Sequence, residues 1–95
     1  MRLSNLEIQN LKNSISKFDP KAEIYLFGSR TDSKKFGGDI DILIISKTIG
    51  RKEKRKIRIN FFQDFGEQKL DIILEKDVES FSTFTKTIFE KAIQL

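Results

Sequence analysis

The stretch LFGSRTDSKKFGGDIDILI, residues 26–44, decides how this chain folds. A short apolar run, Ile24-Tyr25-Leu26-Phe27, stops at Gly28 and is followed by Ser29 and Arg30. It reads as a buried strand that ends in a turn. The polar residues from Ser29 to Lys35 should begin with a short helical turn. Phe36-Gly37-Gly38 is then a flexible approach to a second strand, Asp39 to Ser46. The later part of that strand, Ile42-Leu43-Ile44-Ile45, is continuously apolar, the pattern of a strand in the middle of a covered sheet. Side chains two apart on a strand point the same way, so Asp39 and Asp41 share one face and Ile40 takes the other. Two carboxylates side by side repel each other. The arrangement persists most easily with a divalent cation between them.

Outward from this stretch, the elements alternate. Ser4-Asn5-Leu6-Glu7 fits a capping box, and Ile8, Leu11, Ile15 and Phe18 follow at helical spacing. Asp19-Pro20 ends that helix. Arg51 to Phe65 predicts a second helix with Ile57, Phe61 and Phe65 as its apolar stripe, Phe62 beside them, and Gly66 as its stop. Leu70 to Leu74 predicts a third strand. Phe81, Phe84, Ile88 and Ala92 recur at helical spacing and predict a last helix, with Phe89 off the stripe and available to an interface. The order is helix, strand, short helical turn, strand, helix, strand, helix. Residues 1–95 show no repeat and no linker, and read as a single small domain.

Composition narrows the chemistry. The chain has no cysteine and no histidine, which excludes disulfides, thiolate or imidazole metal ligands, and a histidine general base. Any metal must be held by oxygen, which favours magnesium, manganese or calcium over zinc. No apolar run is long enough to span a membrane, and the amino end lacks the apolar stretch of a signal peptide, so the expected location is the cytoplasm. Lysine plus arginine exceeds aspartate plus glutamate, 18 to 14, for a formal charge of +4. That mild excess suits phosphate binding but also serves solubility. The densest basic run, Arg51 to Arg58, reads first as the solvated face of an amphipathic helix and only second as a surface for nucleic acid or an acidic partner.

Asp71 is the third carboxylate of interest. It sits between Leu70 and Ile72 in an apolar strand that contains no cation. A buried aspartate needs a compensating partner. If the second and third strands are neighbours, Asp39, Asp41 and Asp71 meet in one site. Such a set suffices for two magnesium ions, which lie roughly 3.5–4 Å apart in sites of this kind. Gly28 leaves room for a phosphate at a strand-to-helix turn. The backbone amides beyond it point outward with the positive end of the helical turn. The Gly-Lys-Ser/Thr of a P-loop is absent.

Gly28-Ser29, a spacer, Asp39-Ile40-Asp41 and a third-strand Asp71 resemble the nucleotidyltransferase superfamily of DNA polymerase beta and the kanamycin nucleotidyltransferases. The length most resembles the minimal nucleotidyltransferases of bacteria and archaea. The resemblance implies an α+β fold, a small mixed β-sheet flanked by helices. It also implies roles by position. Gly28 and Ser29 would cradle the triphosphate, with Arg30, Lys35 and Gly38 as further nucleotide contacts. Asp39 and Asp41 would hold both metal ions. Asp71 would bind the catalytic ion and help receive the acceptor's proton. The implied cofactor is two Mg2+ ions, for which Mn2+ can substitute. The spacer is about one residue shorter than in many relatives, and lysine-rich where others carry proline or arginine.

Residues 1–95 leave no room for the accessory domain with which larger relatives grip base and acceptor, so the expectation is that this function is supplied from outside them. Minimal members pair with a separate helical HEPN protein, often an RNase toxin. The resemblance therefore implies transfer of AMP from ATP to a hydroxyl of such a partner, in the manner of an antitoxin. Three other readings remain: a module that neutralises its partner by contact alone, a small-molecule nucleotidyltransferase, and a basic nucleic-acid binder.

Overall fold

The computed structural model describes residues 3–31 and 38–95. Helix α1, Asn5–Phe18, opens with the expected capping box: Ser4 Oγ accepts from the Glu7 amide at 3.1 Å, and Glu7 accepts from the Ser4 amide at 2.9 Å. It ends at Asp19, whose backbone is extended ahead of Pro20. Strand β1 is Glu23–Phe27, and a single 3₁₀ turn, Gly28–Thr31, follows it. Strand β2 is Ile40–Ile45. Helix α2, Arg51–Phe65, begins at Gly50, whose amide donates to Glu53 at 2.8 Å, and stops at Gly66, where φ is +84°. Strand β3 is Leu70–Glu75.

The sheet order is β3-β2-β1-β4, with β4 formed by Ile93–Gln94. Strands β2 and β3 run parallel, joined by α2 as their crossover. Strand β1 is antiparallel to both β2 and β4. This is the α+β fold with a small mixed sheet that the sequence predicts.

Strand alternation gives the sheet two different faces. Ile24 and Leu26 of β1, Ile40, Ile42 and Ile44 of β2, and Leu70 and Ile72 of β3 turn toward Leu11 and Ile15 of α1 and Ile57 and Phe61 of α2. On the opposite face, Phe27, Leu43 and Ile45 pack with Phe81, and Tyr25, Ile73, Ile88 and Phe89 fill in around them. Both faces of β2 are therefore covered, as its apolar run requires.

The carboxyl-terminal segment differs from the expected long helix. Helix α3 covers only Thr83–Phe89, because Ser82 is its N-cap and accepts from the Thr85 amide at 3.1 Å. Phe81 lies before that cap, so its spacing to Phe84 is not helical. Phe84 is 60 % exposed and is not core. Phe89, off the predicted stripe, is half-buried, with edge-on ring contacts to Tyr25 and Phe81 at centroid distances of 4.9 and 5.1 Å. Ala92 lies past the helix, and the chain turns there into β4. Among the described residues no helix is long and apolar enough to cross a membrane.

Candidate active site

Asp41 occupies the centre of the candidate site because β2 is the strand between β1 and β3. Its register partner on β1 is Phe27, the residue before the Gly28 turn. Its register partner on β3 is Asp71. Alternation puts Asp41 and Asp71 on the face of Leu43, Ile45 and Ile73, away from α1 and α2. The parallel pairing that the sequence left conditional therefore brings two of the three carboxylates side by side.

Burial is the main reason that the Asp41 carboxyl is held above the ordinary carboxylate range. The hydrogen bond and negative charge of Asp71 and the charge of Asp39 push it the same way, against the pull of Lys69. This is the electrostatic signature of negative charge crowded into a half-buried corner.

Asp39 sits at the mouth of β2 and is engaged by a cation that sequence reasoning missed. Lys69 Nζ lies 3.3 Å from Asp39 Oδ2. The ammonium is held above its usual range, first by the hydrogen bond to Asp39, then by the charges of Asp39, Asp71 and Asp41. No cation lies within the third strand, but Lys69 immediately precedes it, on the same side as Asp71 by alternation. That parity was the available signal.

The backbone itself gives Gly28 a reason for being glycine. Its φ is +78°, in the left-handed region. A Cβ there would stand 2.5 Å from Asp41 Oδ2. The glycine therefore lets the turn lie against the central carboxylate. Thr31 Oγ1 donates to the Gly28 carbonyl at 2.7 Å and closes the turn. Arg30 Nε donates to the Gly38 carbonyl at 3.2 Å, which ties the turn to the residue just before Asp39. Arg30 thus braces the site entrance. Lys35 and the Ser29 side chain lie outside the described residues.

The donor set suits a hard divalent cation. Asp41 and Asp71 offer only oxygen, and a cation would offset both the burial that chiefly raises the Asp41 carboxyl and the repulsion that adds to it. Among the described residues no three acidic groups converge on one ion as they stand. Asp41 and Asp71 would hold the ion, and Asp39 would join them on parting from Lys69.

The opposite end of the sheet is held by a separate polar network. Ser46 Oγ donates to Asp19 Oδ2 at 2.5 Å and accepts from the amides of Thr48 and Ile49. The Ser46 hydrogen bond is the first cause of a lowered Asp19 carboxyl. This network pins the end of α1 to the exit of β2. On α2, Arg51, Lys52, Arg55 and Lys56 are solvent-exposed while Ile57 and Phe61 are buried, the amphipathic arrangement expected of the basic run. Arg58 Nε donates to the Leu70 carbonyl at 3.1 Å.

Two Dictyostelium discoideum proteins, probable polyketide synthase 23 and probable polyketide synthase 22, are each 30% identical to the chain over 100 residues. Each match takes in 92% of this chain but only 4% of the relative's length. The family model for the nucleotidyltransferase domain matches residues 8–95, which includes the Gly28 turn, the Asp39-Ile40-Asp41 strand and Asp71. The chain belongs to the nucleotidyltransferase domain family.

Proposed function

We propose that this domain transfers a nucleoside monophosphate, AMP from ATP, to a hydroxyl on a partner protein, with magnesium as cofactor. The observation that carries the reading is the position of Asp41, with the Gly28 turn against one side and Asp71 at its register position on the other. A turn suited to phosphate and a carboxylate pair suited to a cation therefore share one corner of one sheet face. In the reaction, the acceptor oxygen bonds to the α-phosphorus, the bond from that phosphorus to the β,γ-pyrophosphate oxygen breaks, and pyrophosphate leaves. Asp71 takes up the acceptor's proton. The Gly28–Thr31 turn orients the triphosphate through its amides. Magnesium, held by Asp41 and Asp71 with Asp39, would neutralise the triphosphate and stabilise the leaving pyrophosphate.

The acceptor in this proposal is a helical HEPN-type protein, and the modification silences it, so that the domain acts as an antitoxin in the cytoplasm. The test is to incubate the protein with magnesium, labelled ATP and that partner. Label should move to a tyrosine or another hydroxyl of the partner and appear there as added nucleotide mass. Asp71→Asn should stop transfer while retaining partner binding. If Asp71→Asn neutralises the partner as well as wild type and the partner carries no added mass, neutralisation is by contact alone.

A further inference from the structure

Beside the Gly28 turn, on the side away from Asp71, lies a cavity of about 580 Å³. Phe27, Gly28 and Thr31 line one wall, and Phe84, Ile88 and Lys91 line the other. We infer that this cavity between β1 and α3 seats the nucleobase of the bound nucleotide, with a purine stacked on Phe84. The inference rests on the proposal that the Gly28 turn receives the triphosphate.

Three observations carry it. The first is continuity. Gly28 contributes both to the cavity and to the close approach to Asp41, so a ligand whose phosphates lie on the turn has its remaining portion within reach of the cavity. Phe27 and Asp41 are register partners, which sets the apolar cavity and the acidic corner side by side across the end of the sheet.

The second is Phe84. It is 60 % exposed, although its neighbours Phe81 and Phe89 are drawn into the core. A large aromatic face left open at the wall of a cavity suits a flat π-system, and base stacking on such a face is tolerant of base identity. The cavity's volume is in the ordinary range for a small-molecule site, roughly 300–1,000 Å³.

The third concerns selectivity. The Thr31 and Thr87 hydroxyls both line the cavity, but each donates to a backbone carbonyl, of Gly28 at 2.7 Å and of Thr83 at 3.0 Å. Their protons are committed, so they do not read the edge of a base as donors. Stacking area then favours purines over pyrimidines, while Glu90 and Lys91, which also line the cavity, supply the charged groups that bear on the choice between adenine and guanine.

The test separates the base from the phosphates. With magnesium present, calorimetry measures the affinity of a non-hydrolysable ATP analogue and, separately, of inorganic tripolyphosphate. Phe84→Ala should weaken the ATP analogue about tenfold and leave tripolyphosphate unchanged, since stacking contributes of that order. The corresponding CTP and UTP analogues should bind more weakly than the ATP analogue, because they offer less stacking area. The chain has no tryptophan, so Phe84→Trp supplies a lone reporter. Its fluorescence should change with the ATP analogue and not with tripolyphosphate. Wild-type ATP affinity in Phe84→Ala, with tripolyphosphate still bound, would overturn the base site and leave the phosphate site standing. The cavity would then be free for an apolar side chain of a partner. Failure of wild type to bind either ligand would overturn both readings together.

Discussion

The sheet face carrying Ile40, Ile42 and Ile44 is sealed by α1 and α2, and those three side chains have no exposure at all. The face carrying Asp41, Leu43 and Ile45 is apolar toward one end, under Phe81 and Phe89, and polar at the other, where Asp41 and Asp71 are half-buried. The two faces belong to the same strands and differ by one residue in phase. A strand can thus put its stabilising residues and its charged residues on opposite sides without compromise. Stability should therefore reside mainly on the helix-covered face, and cation and nucleotide binding on the other. Each of the following substitutions tests that division.

The largest effect is expected on the covered face. Phe61 is wholly buried against the sheet and stacks near Phe65. Phe61→Ala should cost about 3–5 kcal/mol in urea unfolding, the range for deleting a buried aromatic ring. Phe61→Leu should cost less and keep enough folded protein for ligand work. In that milder variant the stabilisation by magnesium should equal that of wild type, because the metal acts on the other face by mass action. A lost magnesium response would show that the faces are coupled.

Gly28→Ala joins the two faces' concerns at the site's edge. A left-handed φ of +78° should cost about 1–2 kcal/mol once a Cβ is present. The new Cβ would also displace the Asp41 carboxylate. Thermal melts with and without magnesium should show both a lower melting temperature and a reduced magnesium shift. A full shift would mean that the turn and the cation site are independent.

Asp41→Asn should affect stability less, and in the opposite direction. The folded Asp41 carboxyl is raised, so over the interval between its unfolded and folded values the native state holds more protons than the unfolded state. Stability then falls as pH rises through that interval. Below it the penalty is absent, and above it the penalty is fully present. The metal-free Asp41→Asn variant should therefore be the more stable protein at neutral pH, by less than about 1 kcal/mol for a half-exposed charge cluster. The difference from wild type should shrink on acidification. The magnesium shift should be lost. An advantage that grows on acidification would contradict a carboxyl raised by burial and by the neighbouring Asp71 and Asp39.

Much of this division is legible in the sequence, and the illegible remainder has physical causes. Ile40 between Asp39 and Asp41, and Leu70 and Ile72 around Asp71, fix the parity of each strand. Ser4 with Glu7, and Gly66 after Phe65, fix the ends of two helices. The pairing of Asp41 with Asp71 is a tertiary fact, since only the order of β2 and β3 in the sheet creates it. Lys69 on Asp39 is similarly a contact across strand ends. The carboxyl-terminal segment misled because Phe81, Phe84, Ile88 and Ala92 match a helical period while Ser82 caps the helix one residue after Phe81. A two-residue strand such as β4 has too few residues to display any period. Lys35, expected at the nucleotide, lies outside the described residues.

The smallest effect tests whether the helix-covered face is as apolar as the comparison requires. Ser14 lies on the buried side of α1, only 5 % exposed, and its Oγ finds no hydrogen-bond partner among the described residues. A hydroxyl in that position contributes nothing through hydrogen bonding and carries the cost of leaving water. Alanine removes the hydroxyl and is also the better helix former. It leaves only a small space, too slight for a large cavity penalty. Ser14→Ala should therefore range from neutral to a gain of about 1 kcal/mol, read as a higher urea midpoint at unchanged slope. Magnesium and nucleotide binding should be untouched, since Ser14 faces away from Asp41. A loss above about 1 kcal/mol would mean that Oγ is satisfied in solution, by water or by a neighbouring backbone carbonyl. The covered face would then hold a polar link of its own, and its stability could not be assigned to apolar packing alone.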